Sequence, residues 1–501
     1  MAQTFETILN RFDGGIQNDP RVRAIGSAQV CKNFDVLTNR FKMSPYRDST
    51  DADSASSTSQ KQNFAVAYDG SEYALYSLGV KESAATAEVL RKDLGDDLGN
   101  TTWTAPAENQ APAGGVVFGT FVYYENQAEI YCIQTQYIDA FSPTGSSWDN
   151  QQADLGANPT TTAEGLVHSK DDKCYIPYNK IASKDGASAW TVAAVTLPAH
   201  FKITSICEYG NYIAIAATPK NGIGKTFVYL WNRDGTLTTF SESIDWGTGQ
   251  LNVLEEVEGF LVGVSLYGGT TVRTRDRIVF RAYNGGTPVT FLELQADGSS
   301  SILNQSKQKV DERLLFSMEI TKGGTNYIGV WSLALHGDTF VLVQERTPLN
   351  DTDLSGATDQ MKGFIKVGDY LIQAYLDDSI YKLSITNDQA YYTASSVFHT
   401  NINPNIPTKY MSRKKQLVAV SMNYVSLPTD ADAKLEYRVD GGSCVEIFTE
   451  ATNSAINTEA VVDVNGAQFK EGREYEFRIT STDNAEITEL KYKWALMDTL
   501  I

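Results

Sequence analysis

The sequence predicts an all-β chain: a β-propeller of about seven blades, with an N-terminal extended arm and a C-terminal β-sandwich. Three observations predict it. A short phrase (apolar strand, Gly- or Asp-bearing turn, aromatic-rich strand) recurs about seven times at a period near fifty residues, which marks a repeat architecture built from strands. Gly (38) and Tyr (26) are plentiful, while good helix formers never cluster with a period near 3.6. Beyond about residue 410 the pattern becomes a clean alternation of apolar and charged residues, as in half-buried antiparallel strands.

Residues 1–62 read as the arm and a polar loop. The arm holds Phe12-Asp13-Gly14-Gly15, Asn33-Phe34-Asp35-Val36 and Met43-Ser44-Pro45, and the tract from Asp48 to Gln62 is rich in Ser, Thr and Asp, an exposed loop composition.

Residues 63–400 hold the repeats. The copies are Ala67-Tyr68-Asp69-Gly70-Ser71-Glu72-Tyr73, Phe118-Gly119-Thr120-Phe121-Val122-Tyr123, a weaker Lys170-Asp171-Asp172-Lys173-Cys174-Tyr175, Tyr209-Gly210-Asn211-Tyr212-Ile213, Val257-Glu258-Gly259-Phe260-Leu261, Val310-Asp311-Glu312-Arg313-Leu314-Leu315 and Val367-Gly368-Asp369-Tyr370-Leu371. The degenerate third copy leaves six or eight blades open. Second hairpins show at Arg233-Asp234-Gly235 and Asn284-Gly285-Gly286, both strong hairpin turns. Trp103, Trp148 and Trp190 each follow a Gly-bearing turn and are expected to begin outer strands and pack between blades. A four-stranded blade has two apolar faces, and stacking blades in a closed ring buries both.

Residues 401–410, rich in Pro and Asn, read as a linker, and 411–501 as the sandwich. Its strands are expected at Gln416–Met422, Ala433–Val439, Glu474–Ile479 and Glu489–Trp494, with a turn at Asp440-Gly441-Gly442.

The net charge of −19 argues against nucleic-acid binding by the exterior, which needs Lys and Arg to replace phosphate counterions; an acidic wall would instead let DNA slide past. The five cysteines (Cys31, Cys132, Cys174, Cys207, Cys444) are scattered, without a CxxC pair, and read as small apolar residues in a reducing compartment. The four histidines, His168, His200, His336 and His399, read as solitary surface or turn residues. No run of eighteen apolar residues predicts a membrane span, and the opening residues lack a signal-peptide layout, so synthesis in a cytoplasm is expected.

No catalytic, cofactor-binding or metal-ligating set can be assigned. Gly224-Lys225-Thr226 lacks the upstream Gly of a phosphate loop, because Pro219 stands there, and a strand follows. Ser183-Lys184-Asp185-Gly186 before Trp190 is a near miss of the Asp-box turn of sialidase-like propellers, and that turn is structural even when complete. Arg273, Arg275, Arg277 and Arg281 form one face of a hairpin by strand alternation rather than a bowl cluster. Asp48, Asp51 and Asp53 lack the Gly of a Ca²⁺ loop, where Ser56 stands, and Asp430 with Asp432 reads as a solvated acidic loop. No carboxylate pair acquires an acid–base separation from sequence.

The arm carries a resemblance. Phe12-Asp13-Gly14-Gly15-Ile16, Asp19-Pro20, Ala28-Gln29-Val30, Asn33-Phe34-Asp35 and Met43-Ser44-Pro45-Tyr46-Arg47 resemble the opening of a family of tailed-bacteriophage structural proteins, often followed by propeller blades. The Tyr437–Gly442 turn and the closing Lys491-Tyr492 look like modules of such virion proteins. The resemblance implies a non-enzymatic virion tail component, nozzle-like or at the tail tip, made in the host cytoplasm. It also implies the partners: further copies in a cyclic homo-oligomer, possibly a hexamer, adaptor or tail-tip proteins, and DNA passing transiently through a channel. No cofactor is implied. Known nozzle proteins are longer, which leaves an accessory tail or adaptor role open. Phe12, Gly14, Gly15, Asn33, Phe34 and Asp35 are the expected subunit contact; within one chain, the arm would instead supply the outer strand that closes the ring. The other readings are a receptor- or glycan-binding tail protein and, behind it, a propeller glycosidase.

Overall fold

The computed structural model describes residues 4–12, 16, 28–38, 42–51, 59–81, 86–94, 103–109, 117–159, 163–222, 224–234, 240–268, 276–297, 300–322, 325–348, 359–377, 380–391, 396–461 and 469–497. Among them the structure is strand and turn, with two three-residue 3-10 turns at Glu125–Gln127 and Thr408–Tyr410. The chain divides into two units: Thr50–Val330 with Pro348–Thr386, and Met1–Ser49 with Trp331–Thr347 and Asn387–Ile501.

The first unit carries the propeller. Blades one to five, residues 59–109, 117–154, 166–195, 201–248 and 250–295, are each a four-stranded sheet in sequential order. Blade six runs through Ser300–Val310, Arg313–Lys322, Thr325–His336 and Thr339–Arg346, and the division into units falls inside its third strand. Blade seven takes Gln360–Val367, Tyr370–Asp377 and Ile380–Tyr391 from its own stretch and its fourth strand, Arg47–Asp51, from the arm. The first strand of each blade touches the first strand of the next, and Gln360–Val367 touches Ser59–Tyr68, which closes a ring of seven.

Six copies of the repeated phrase are the hairpin between the first and second strands; in the second copy Gly119-Thr120 lies inside the strand Val117–Tyr124, at a register shift, and the hairpin turn follows at Glu125–Ala128, so the seven first-to-second turns share one face of the ring. Each turn places a residue in the left-handed region: Gly70, Ala128, Asp172, Gly210, Glu258 with Gly259, Asp311, and Gly368. Four of the turns have two residues between paired strands, and such tight turns require positive φ. That requirement is why Gly and Asp recur there in the sequence.

Blades bury their faces against each other. Ala67, Tyr76 and Val89 of blade one pack with Phe121, Ile130 and Phe141 of blade two, with Trp148 against them. Trp190 packs with residues of blades two and three, and Trp103 with blades seven and one. All three tryptophans therefore sit between blades, just before or at the start of outer strands, as their spacing predicts. Arg277 and Arg281 share one face of their strand, both over the Tyr267 ring; Arg273 and Arg275 lie outside the described residues.

The second unit is a β-sandwich. One sheet orders Thr4–Leu9, Ile487–Leu496, Lys415–Tyr424 and Asn457–Val461. The other contains, in order, Thr339–Arg346, Ala28–Lys32, Ser396–Thr400, Tyr475–Ser481, Ala433–Val439 and Val445–Glu450. The arm is thus woven into both sheets. Thr4–Leu9 is an edge strand held by Trp494, whose Nε1 donates to Thr7 Oγ1 at 3.0 Å and whose ring stacks on Phe5. Ala28–Lys32 is an interior strand, antiparallel to Ser396–Thr400 and parallel to Thr339–Arg346.

Two histidines depart from the surface-or-turn expectation. His168 is fully buried, its Nδ1 accepting the Lys170 N–H at 3.2 Å beside Arg233. His399 lies 3.2 Å from the buried Glu476 carboxylate, which also meets Arg438 and accepts from Gln29 Nε2 at 2.5 Å. Burial works to raise the Glu476 pKa, but the His399, Arg438 and Gln29 contacts outweigh it and hold it at about 2, against an ordinary 4.5. A depressed carboxylate stabilises the fold fully above its unfolded pKa, and that stabilisation is lost as pH falls from 4.5 towards 2. The sandwich is expected to lose stability over that window, and Glu476→Gln to flatten it, as read by denaturation at a series of pH values.

Candidate functional site in the propeller channel

Four first strands meet around a cavity of about 300 Å³. Glu164, Gly165 and Leu166 come from the start of blade three, Ile206, Cys207 and Glu208 from blade four, Glu255 and Glu256 from blade five, and Lys307, Gln308 and Lys309 from blade six. First strands line the channel of a propeller, and the lining is made of consecutive residues on these strands, with Gln308 also bonded to the Lys366 backbone of blade seven.

Lys307 is the centre of the arrangement. Its Nζ donates to the Ile206 carbonyl at 2.8 Å, the Leu254 carbonyl at 2.6 Å and Glu255 Oε2 at 2.8 Å, joining blades four, five and six. Burial disfavours its charge, but Glu255 and the neighbouring acidic groups outweigh burial and its pKa rises. Lys309 pairs with Glu256. Burial pushes Glu256 up, yet Lys309 and the Gly259 N–H bring its pKa below the ordinary value. Glu208 Oε2 accepts from Ser169 Oγ at 2.7 Å. Cys207 is buried and its thiol is pushed far up, so it is an apolar wall rather than a nucleophile.

Glu164 differs from the other carboxylates. Desolvation raises its pKa to about 8, with Lys307 pulling down and Glu255 adding to the rise. Glu164 and Glu256 line the same cavity with their affinities for a proton shifted in opposite directions, Glu164 by burial and Glu256 by its pairing with Lys309. Because a raised folded-state pKa makes the folded chain hold a proton that the unfolded chain releases, propeller stability is expected to fall as pH rises from 4.5 to about 8. Glu164→Gln should remove that fall, measured by denaturation at pH 5 and pH 9.

None of these residues was legible as a site. They lie far apart in sequence, on four blades, and share no motif. A lysine in the polar stretch Asn304-Gln305-Ser306-Lys307 carries no sign that its amine will be enclosed.

The expected subunit-contact residues fall elsewhere. Phe12 is buried edge-to-face on Phe398, 5.6 Å between ring centroids, and Phe34 is fully buried. Asn33, also buried, adopts φ +55° and is fastened by the Gln344 carbonyl, the Thr347 N–H and the Ser396 hydroxyl. Asp35 Oδ1 accepts the N–H groups of Leu37 and Thr38 at 3.0 and 2.9 Å. Gly14 and Gly15 lie outside the described residues. The four that are described are engaged inside the chain's own sandwich, and a buried Phe34 is not available to anchor in another subunit's pocket.

No protein-family model and no curated protein matches the chain. Solved structures do. An exo-β-1,3-galactanase from Phanerochaete chrysosporium, with β-1,3-galactotriose, matches at 10% identity over 89% of this chain and 100% of that one, TM-score 0.29. A mutant of Trypanosoma rangeli sialidase displaying trans-sialidase activity matches at 10% identity over 97% and 95%, TM-score 0.34. The Neurospora crassa Pan2 WD40 domain matches at 9% identity over 69% and 97%, TM-score 0.40. Likenesses this distant carry no argument for an activity. They do correct the expectation of a non-enzymatic chain: two of these three are enzymes, so an architecture of this kind does not exclude catalysis.

Proposed function

We propose that the chain is a structural component of a bacteriophage tail, forming part of a ring or nozzle around the DNA channel. Several copies would assemble with cyclic symmetry, a hexamer among the candidates, and dock on adaptor or tail-tip proteins in the virion. The observation that carries this reading is the arm. The stretch whose residues resemble the opening of tailed-phage virion proteins is the stretch that supplies strands to both sandwich sheets and the fourth strand of blade seven. Its described motif residues, Phe12, Asn33 and Phe34 among them, are buried parts of the fold. The net charge of −19 supports the same reading, because an acidic wall repels phosphate and lets DNA pass without adhering.

The test is mass measurement followed by cryo-electron microscopy of the purified chain and of the particle it comes from. A closed ring on the tail axis is the expected outcome. A chain that stays monomeric at high concentration, or one placed away from the axis, overturns the proposal.

A further inference from the structure

We infer that the exposed Tyr68–Tyr73 pair of blade one is a docking site for a basic segment of a neighbouring protein, with an arginine or lysine seated against the two rings. This rests on the tail-assembly reading for its partner, and it names the surface that the buried arm residues do not provide.

The chain has 26 Tyr, 21 Phe and 7 Trp. Among the described residues, the aromatic side chains left exposed are Tyr68 at 39% and Tyr73 at 50%. They are direct cross-strand partners with ring centroids 5.4 Å apart. Their hydroxyls are anchored, Tyr68 donating to the Gly70 carbonyl at 3.0 Å and Tyr73 to Glu125 Oε1 at 3.3 Å. The turn between them is also held, since Asp69 Oδ1 accepts the Ser71 and Glu72 N–H groups at 2.9 and 3.0 Å. The rings are therefore presented in a set geometry, which lowers the entropy lost on binding.

The surroundings choose the partner. Asp69 and Glu72 in the turn between the rings and Glu125 on the Tyr73 hydroxyl set carboxylates at the pair, and the guanidinium these contacts include, Arg91, is shared among Asp69, Glu72 and a further carboxylate, Asp93. The Glu72 and Asp93 side chains remain 52% and 62% exposed. Aromatic faces rimmed by carboxylates attract a cation through both the ring quadrupole and direct charge. An anionic partner is repelled. A purely aliphatic partner finds no match, because among the described residues the other large exposed apolar side chains, such as Val289 and Ile456, lie outside blades one and two.

The experiment titrates a capped tetra-arginine peptide into the purified full chain by calorimetry, with tetra-asparagine and a panel of neutral oligosaccharides as comparisons. Tyr68→Ala and Tyr73→Ala leave the net charge at −19, so they separate the patch from the general acidic field. Each is expected to weaken tetra-arginine binding about five- to thirtyfold, with the melting profile unchanged. Should either variant unfold early, Glu72→Gln with Glu125→Gln is read instead, with weakening again expected. Unchanged affinity in these variants overturns the inference, as does tyrosine-dependent binding of a neutral oligosaccharide without binding of tetra-arginine. The titration reads the patch whether or not the chain forms a ring, so this inference and the tail reading can fail separately.

Discussion

Lys307→Met is expected to destabilise the propeller by about 3–5 kcal/mol, the cost of removing one partner from a buried ion pair. Lys307 and Glu255 side chains are 7% and 15% exposed, so the carboxylate left behind has little water to turn to. Two further groups are orphaned, the carbonyls of Ile206 and Leu254. These belong to blades four and five while the lysine belongs to blade six, so the loss is concentrated at the junction of three blades. The measurement is chemical denaturation followed by tryptophan fluorescence, for which the buried Trp231 and Trp246 report on blade four. Lys307→Met with Glu255→Gln should recover part of the loss, because the second change removes the stranded charge; a double-mutant cycle gives the coupling. Equal stability of the single variant and the native chain would show that the ammonium does not join the blades.

Lys415→Met is expected to cost the sandwich about 3 kcal/mol, since the hydrogen bonds of one enclosed ammonium are lost together, although the Tyr410 and Arg473 carbonyls keep the Arg413 N–H and Asn403 Nδ2 as second donors. Lys415 is fully buried, and its Nζ lies at 3.1, 2.9, 2.8 and 2.7 Å from the carbonyls of Tyr410, Met411, Arg413 and Arg473. One compact cation thereby ties the 3-10 turn at Thr408–Tyr410 and the segment before Tyr475 to the start of a central strand. Its backbone is held as firmly, exchanging hydrogen bonds with Gly472 at 2.7 and 3.0 Å. Lys415→Arg is not expected to rescue, because a planar guanidinium cannot place its donors where a tetrahedral ammonium does. Limited proteolysis and denaturation of the two variants check this; native-like resistance in Lys415→Arg would show that charge alone suffices.

The repeat, its strand–turn–strand character and the sandwich strands at 433–439 and near 416–422, 474–479 and 489–494 were readable in order along the chain. All are local: a hairpin turn needs a residue tolerant of positive φ between two runs of strand formers, and a half-buried strand alternates. Gly210 and Asp311 announce their turns because few residues adopt that backbone at low cost. The interblade tryptophans Trp103, Trp148 and Trp190 were readable for a related reason, since a large ring after a turn has nowhere else to be buried.

What the sequence withheld is what depends on residues hundreds of positions apart. The pairing of Ala28–Lys32 with Ser396–Thr400, and of Thr4–Leu9 with Ile487–Leu496, rests on side-chain packing of strands too short to declare a partner. The arm's apolar residues were visible, but whether Phe12 and Phe34 would face another subunit or their own core was not, because hydrophobicity drives burial without naming the surface that does the burying. The same holds for charge. Lys307, Lys415, His168 and Glu476 look like ordinary surface residues in sequence, and only the folded chain encloses them, where hydrogen-bonded partners offset the cost of leaving water. Tyr68 and Tyr73 show the converse. Composition predicts that aromatics are buried, and it is the placement of their hairpin at the face of the ring, with Glu125 of the next blade beside it, that leaves these two in solvent. Local chemistry wrote the elements of this protein; the long-range closure of the ring and the weaving of the arm chose which polar groups became buried and which rings stayed exposed.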